Sequence, residues 1–301
     1  MNRSSVLPHL ALLAVNCIYG ANYVVAKGLM PDIIGPSGFI LLRVIGAVLV
    51  FWIFLSMSWE KVERKDLLRI AVAAIFGVAL NQLLFFNGLN HTSPINSAII
   101  MTTNPIMVLV MASLILGERI TKRRALGVAL GFIGATTLIL LTGRSGVGGA
   151  SIKGDVMIFI NSLSFGVYLV MVKPLMLKYR PLTVISWVFL FGLLYVIPFG
   201  WVQFSEVEWS TLSSTSIWSM VYVVLAVTVL AYGLNLYALS KVSPNVVSSY
   251  IYLQPVLAGL FGLLFFYLGT YGMDKPVFTW PMLGATLMIF TGVWMVSKRG
   301  R

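Results

Sequence analysis

Charge is what this sequence has least of. Only 10% of its 301 residues are Asp, Glu, Lys or Arg, against roughly 25% in a soluble domain. A chain with so little charge cannot cover a water-facing surface, and a hydrophobic content of 59% excludes an ordinary soluble domain. Acid is scarcer than base: 9 Asp and Glu stand against 21 Lys and Arg, for a formal charge of +12. The basic residues sit in loops between apolar runs, the usual pattern of membrane orientation, so nucleic acid is not expected as a partner. The single cysteine, Cys17, lies in an apolar run and excludes an intramolecular disulfide. No His/Cys/Asp/Glu cluster has metal-ligand spacing, and neither a metal nor any other cofactor is predicted. No nucleophile stands at a recognisable interval from a base. The glycines of TGRSGVGGASIKG (Thr142 to Gly154) follow no strand and end in no Gly-Lys-Ser/Thr. Neither an enzyme nor an ATP-driven pump is expected.

What the chain has in quantity is apolar runs of about 20 residues, enough to cross a hydrocarbon core of ~30 Å at ~1.5 Å per residue. They run from Leu7 to Leu29, Ser37 to Ser58, Leu68 to Leu89, Pro94 to Leu116 and Ala125 to Leu141 in the first half. In the second they run from Asp155 to Pro174, Leu182 to Phe204, Ile217 to Leu239, Pro244 to Leu268 and Trp280 to Val296. The expected fold class is an all-α integral membrane protein with ten transmembrane helices. Gly127, Gly131 and Gly134 in the fifth run permit close helix–helix approach.

The fourth run recurs. A shift of 150 residues carries Leu89, Ser93, Pro94 and Pro105 onto Leu239, Ser243, Pro244 and Pro255, and Asn104 onto the amide Gln254. A shift of 146 carries Tyr19, Gly20 and Lys27 onto Phe165, Gly166 and Lys173. The first run, with Arg3 ahead of it, resembles a signal peptide, but a repeat element is not expected to be cleaved. Residues 1–143 are expected to form one five-helix repeat, 144–154 a flexible linker and 155–301 the second repeat.

With the N-terminus inside, only Lys27, Arg144, Lys153 and Lys275 of the 21 basic residues fall outside, and Arg43 lies within a span. Both termini are therefore expected on the cytoplasmic side. Five spans per half make the second repeat enter the membrane in the opposite sense to the first. Secondary transporters use such inverted-topology repeats and bind substrate near the midplane between them.

The run TSPINSAIIMTTNPIMVLVMASLILGERI, the YGANYVV start and the glycine-rich span after GER resemble the EamA-type branch of the drug/metabolite transporter superfamily. The second half departs from that pattern where YLG and an insertion through Asp274 and Lys275 replace GER. The resemblance implies a ten-helix carrier in the bacterial inner membrane with a central cavity, moving amino acids, other small metabolites or drugs, often outward. The expected partners are a small-molecule substrate and the lipid bilayer. The sequence leaves the substrate, the energy source and the oligomeric state open. A non-transporting scaffold or sensor with the same fold is the alternative.

Polar groups at membrane depth are costly in lipid and should face the interior. The candidate substrate-binding residues are Asn22, Arg43, Asn81, Gln82, Asn104, Tyr168, Asn235, Tyr250 and Gln254. Asn161, Ser164 and Tyr168 share one helix face, and Tyr168 aligns with Asn22 across the repeat. Tyr168, Tyr250, Tyr252 and Trp187 offer stacking surfaces for an aromatic or cationic substrate. The competing reading of each amide or hydroxyl is a tie between helices. Pro105 and Pro255 interrupt their runs and are candidate gating hinges, or else shape packing alone. Arg43 holds a substrate anion, snorkels, or satisfies helix-end carbonyls. All nine acids fall in loops or at span ends.

Overall fold

A computed structural model describes residues 3–117, 119–145, 149–239, 241, 250–272 and 274–297. Ser243 and Pro244, expected to open the ninth span, lie outside the described residues, as do Glu118, Lys298, Arg299 and Arg301.

Among the described residues every regular element is helical, as a chain in lipid requires if each span is to satisfy its own backbone. The first half comprises α1 (Arg3–Leu29), α2 (Pro36–Ser56), α3 (Arg64–Ala74), α4 (Leu80–Asn90), α5 (Pro94–Met101), α6 (Asn104–Leu116) and α7 (Lys122–Ser145). The second comprises α8 (Ile152–Lys178), α9 (Pro181–Ser205), α10 (Ser214–Tyr222), α11 (Ala231–Leu239), α12 (Gln254–Tyr267) and α13 (Trp280–Ser297). A π-helical stretch, Ile75–Ala79, joins α3 to α4, and a second, Val223–Leu230, joins α10 to α11. Among the described residues eight helices are long and apolar enough to cross a membrane, and the bent α5–α6 pair makes a ninth if counted as one span. Trp280–Val296 is apolar but shorter.

Local sequence explains the helix ends. Pro36, Pro94 and Pro181 start α2, α5 and α9, where a missing N–H costs nothing. The Ser93 hydroxyl caps α5 by accepting from Asn96 N at 3.1 Å, and Ser151 caps α8 from Gly154 N at 3.1 Å. Gly117, at φ 69°, ends α6 in the left-handed conformation that glycine adopts without penalty. α7 continues to Ser145 and α8 begins at Ile152, so helix extends into the segment whose composition predicts a linker.

The Asn104-Pro105 pair breaks its span outright. α5 ends at Met101, the chain turns at Thr102 and Thr103, and α6 leaves at 40°. The two threonine hydroxyls donate to Ile99 O at 2.6 Å and Ile100 O at 2.7 Å, covering carbonyls near the interruption. Pro255 likewise stands in the first turn of α12, after a 3-10 turn over Tyr250–Leu253. Both prolines stand in the first turn of an α-helix, but only at Pro105 is the span bent; at Pro255 the 3-10 turn runs on into α12.

α2 packs along α9 and α7 along α13, while α1 lies against α11 and α12, and α8 against α4 and α6. The crossings of α1 with α12 and of α8 with α6 each hinge on one glycine. A Cβ at Gly20 would stand 2.5 Å from Leu257 Cβ, and one at Gly166 would stand 3.0 Å from the Met107 backbone. Gly127 and Gly292 meet backbone to backbone between α7 and α13, the close approach that the fifth span's glycines predict.

Candidate functional site

The centre of the bundle is built around Arg43. α2 carries this side chain inward, where the residue is only 9% exposed. Its Nε donates to Thr228 Oγ1 at 3.0 Å, and the guanidinium lies 5.2 Å from the centroid of the Phe86 ring. Thr228 sits in the second π-helical stretch, and its hydroxyl also donates to Val223 O at 3.1 Å. The stretch therefore fixes the hydroxyl that fixes the arginine.

Among the described residues, hydroxyls and no acid stand around that guanidinium. Tyr19 of α1 and Tyr232 of α11 lie close enough to interact with it electrostatically. Tyr232 interacts in turn with Tyr168 of α8, and Asn235 is a hydrogen-bonding neighbour of Tyr19. Tyr19, Tyr168, Tyr232 and Asn235 are each half-buried. Among the described residues, every Lys/Arg–carboxylate ion pair gathers elsewhere, joining Lys65, Arg69 and Lys178 to Glu63 and Asp66. A buried cation normally carries a paired anion. Arg43 has one neutral hydroxyl and one aromatic face instead, and the guanidinium offers five donors in all. The arrangement can accept an anionic or strongly polar group from outside the chain.

The other predicted residues divide. Asn22 on α1, Gln82 on α4 and Asn104 at the start of α6 are buried, with side-chain oxygens that accept no hydrogen bond among the described residues. Asn81 pairs with Asn161: Asn161 Nδ2 donates to Asn81 O at 2.6 Å, and Asn81 Nδ2 reaches Asn161 O at 3.5 Å. Gln254 accepts from Tyr23 Oη at 3.0 Å and donates to Asn16 Oδ1 at 3.1 Å, which ties α12 to α1. Tyr250 lies 2.9 Å from His9 Nδ1, far along α1 from Tyr19. The structure thus sets Tyr168 and Asn235 beside the two tyrosines that neighbour Arg43, makes ties of Asn81 and Gln254, and sets Tyr250 apart.

Sequence reasoning missed Tyr19, Phe86, Thr228 and Tyr232. A signal for two of them was present, since Tyr19 is one turn before Asn22 and Tyr232 falls 150 residues after Gln82. The sequence places the acids in loops or at span ends, and Asp66 and Asp155 do stand in the first turns of α3 and α8, but their burial, at 1% and 0% exposed, is not foreseen there. Asp66 accepts from Lys178 at 2.6 Å and Tyr179 Oη at 2.8 Å, joining the start of α3 to the end of α8.

A cavity of about 250 Å³ opens where α1 ends and α5 begins. Lys27, Ser93, Pro94 and Ile95 line one side, and Tyr271, Asp274 and Lys275 the other. Lys27 donates to Leu89 O at 3.0 Å and Asn90 O at 2.6 Å, so this cation caps the end of α4.

The EamA-like transporter family profile matches residues 7–140 and again 152–298. The chain belongs to this family. Through it the protein is a multi-pass member of the drug/metabolite transporter superfamily. It is 26% identical to an uncharacterized transporter of Archaeoglobus fulgidus over 252 residues, covering 84% of this chain and 83% of the relative. It is 25% identical to the uncharacterized transporter YyaM of Bacillus subtilis, over 80% of this chain and 77% of that one. The Arabidopsis thaliana protein WALLS ARE THIN 1 is 24% identical, with 96% and 82% covered. One crystal structure matches at a TM-score of 0.59, covering 97% of this chain and 94% of the other, and at 15% identity this EamA-family chain shares its fold alone.

Proposed function

We propose that the protein is a secondary transporter that carries a small polar or amphipathic metabolite by alternating access, with Arg43 at the substrate site. The observation that carries this reading is a buried arginine without an acid partner among the described residues, surrounded by side chains from helices of both halves. Such a cation is costly in a bundle unless something polar visits it.

In this reading the chain is two inverted five-helix repeats, residues 1–143 and 155–301 joined by 144–154, with ten spans and both termini cytoplasmic in a bacterial inner membrane. Three features support it. The family profile matches twice. The packing of α1 on α11 and α12 answers that of α8 on α4 and α6, and the 146-residue and 150-residue shifts carry Gly20 onto Gly166 and Met107 onto Leu257. The 150-residue shift also places Ile75–Ala79 inside Val223–Leu230, so each half carries a π-helical stretch in its third span. Such stretches recur at functional sites. Export is the expected direction, with amino acids and related compounds as the first substrates to try.

Proteoliposomes test the reading. Flux of at least one compound from a panel of amino acids, nucleosides, sugar phosphates and cationic drugs, lost in Arg43→Gln, is the expected result. A folded protein that moves none of them would favour the scaffold or sensor.

A further inference from the structure

Asp155 is a buried acid that the Arg43 site does not use. It lies in the first turn of α8, fully buried. Thr92 Oγ1 donates to its Oδ1 at 2.5 Å and Asn96 Nδ2 to its Oδ2 at 3.1 Å. Both donors are uncharged, and they flank Ser93, Pro94 and Ile95, the residues that line the 250 Å³ cavity at the start of α5. One carboxylate of α8 therefore clamps the wall of that vestibule from behind.

The charged and titratable neighbours are Lys153, His91 and Lys27, and the vestibule lining adds Tyr271, Asp274 and Lys275. Lys153 is two residues earlier on α8, and its Nζ lies 3.3 Å from His91 Nε2. His91 precedes Thr92, and its carbonyl accepts from Ser151 Oγ at 2.5 Å. Lys27 of α1 spends its ammonium on Leu89 O and Asn90 O. Burial, with Lys153 and Lys27 nearby, holds His91 below the usual histidine value, so it is neutral at neutral pH. None of these groups forms an ion pair with Asp155 among the described residues. A carboxylate taken from water needs paired charge, hydrogen bonds to its charged form, or a proton. Among the described residues the Asp155 carboxylate accepts two side-chain hydrogen bonds, and both come from the segment it clamps.

We propose that Asp155 is the proton-exchanging latch of this vestibule: protonation loosens its hold on Thr92 and Asn96 and frees the first turn of α5 to swing from α8. The carboxylate takes one proton from vestibule water and returns it when the latch closes, and no covalent bond other than O–H forms or breaks. The proposal rests on the transport reading and supplies its energy coupling. In the first half the position 146 residues earlier is His9, bound to Tyr250 at the far end of α1, so each end of the bundle holds a titratable group at matching positions.

The test is infrared difference spectroscopy of the full chain in lipid bilayers, from neutral to acid pH. A protonated-carboxyl band should appear, be absent in Asp155→Asn and shift in Thr92→Val. In parallel, Ile95→Cys on a Cys17→Ser background should react several-fold faster with an impermeant maleimide in acid. Adding Asp155→Asn should keep that fast rate at neutral pH. The wild-type band keeps the test decisive if Asp155→Asn fails to fold, because Thr92→Val alone must move it. The proposal is overturned if no band depends on Asp155 or Thr92. It is equally overturned if the acid acceleration persists in Asp155→Asn and disappears in His91→Gln. Neither readout needs a substrate, so a failed latch and a failed transporter are told apart.

Discussion

Arg43 Nε and Thr228 Oγ1 meet at 3.0 Å across 185 residues of sequence, and the bond joins the second helix to a π-helical stretch in the other half. Thr228 uses its own proton on Val223 O, so its oxygen is free to accept from the arginine. The buried arginine is carried by one half and attached to the other.

Removing that cation should reduce affinity selectively. A charge-assisted hydrogen bond contributes about 1.5 to 3 kcal/mol, so Arg43→Gln should weaken anionic ligands roughly ten- to a hundredfold. Neutral ligands should bind as before. Titration calorimetry with matched charged and neutral compounds checks this, and a uniform loss would make Arg43 a structural residue.

Gly20 and Gly166 should tolerate substitution equally badly. A leucine at either position meets the neighbouring helix, and overpacking of this kind costs about 1 to 3 kcal/mol. Unfolding of the two variants in mild detergent should show matched destabilisation. A large effect at one glycine and none at the other would contradict the equivalence of the two crossings.

Gln254 gives the opposite contrast to Arg43. Gln254→Leu leaves Tyr23 Oη and Asn16 Oδ1 without their partner, at a cost of about 1 to 3 kcal/mol in stability. Ligand preference should not change. A specificity change at full stability would move Gln254 from a tie to a substrate contact.

The basic end of the bundle should respond to acid. Lys178 lies 2.6 Å from both Glu63 and Asp66, and Lys65 lies 2.9 Å from Glu63. Hydrogen bonds from Lys178 and then Lys65 hold the Glu63 carboxyl below its ordinary 4.5. A carboxyl held low when folded contributes fully above its unfolded value and loses that contribution as pH falls through the folded one. Melting temperature should therefore hold steady down to pH 4.5 and fall below it, less steeply in Glu63→Gln. An identical acid limb in the variant would remove Glu63 from the cause.

Much of this was legible because lipid leaves few choices. Runs such as Pro36–Ser56 have one stable backbone in hydrocarbon, and an Asn-Pro pair inside a run marks a break. The glycines showed where helices approach closely. The site was harder to see. Periodicity places Asn22, Asn81 and Gln254 on inward faces, but inward is shared by ties and cavities, and only geometry shows that Asn81 and Gln254 find partners within the bundle. The π-helical stretches have no sequence signature of their own here, and they decide where Thr228 and Tyr232 point. Asp155 carries no mark in sequence to separate a buried acid from a solvated one at the same helix start.

The most direct test is two-sided access to the centre. In Cys17→Ser with Tyr168→Cys, an impermeant maleimide should reach the single cysteine beside Tyr232 from either face of oriented vesicles. A tight ligand should leave it reachable from one face at most. Labelling from both faces that no ligand alters, or from one face under every condition, would contradict alternating access around Arg43.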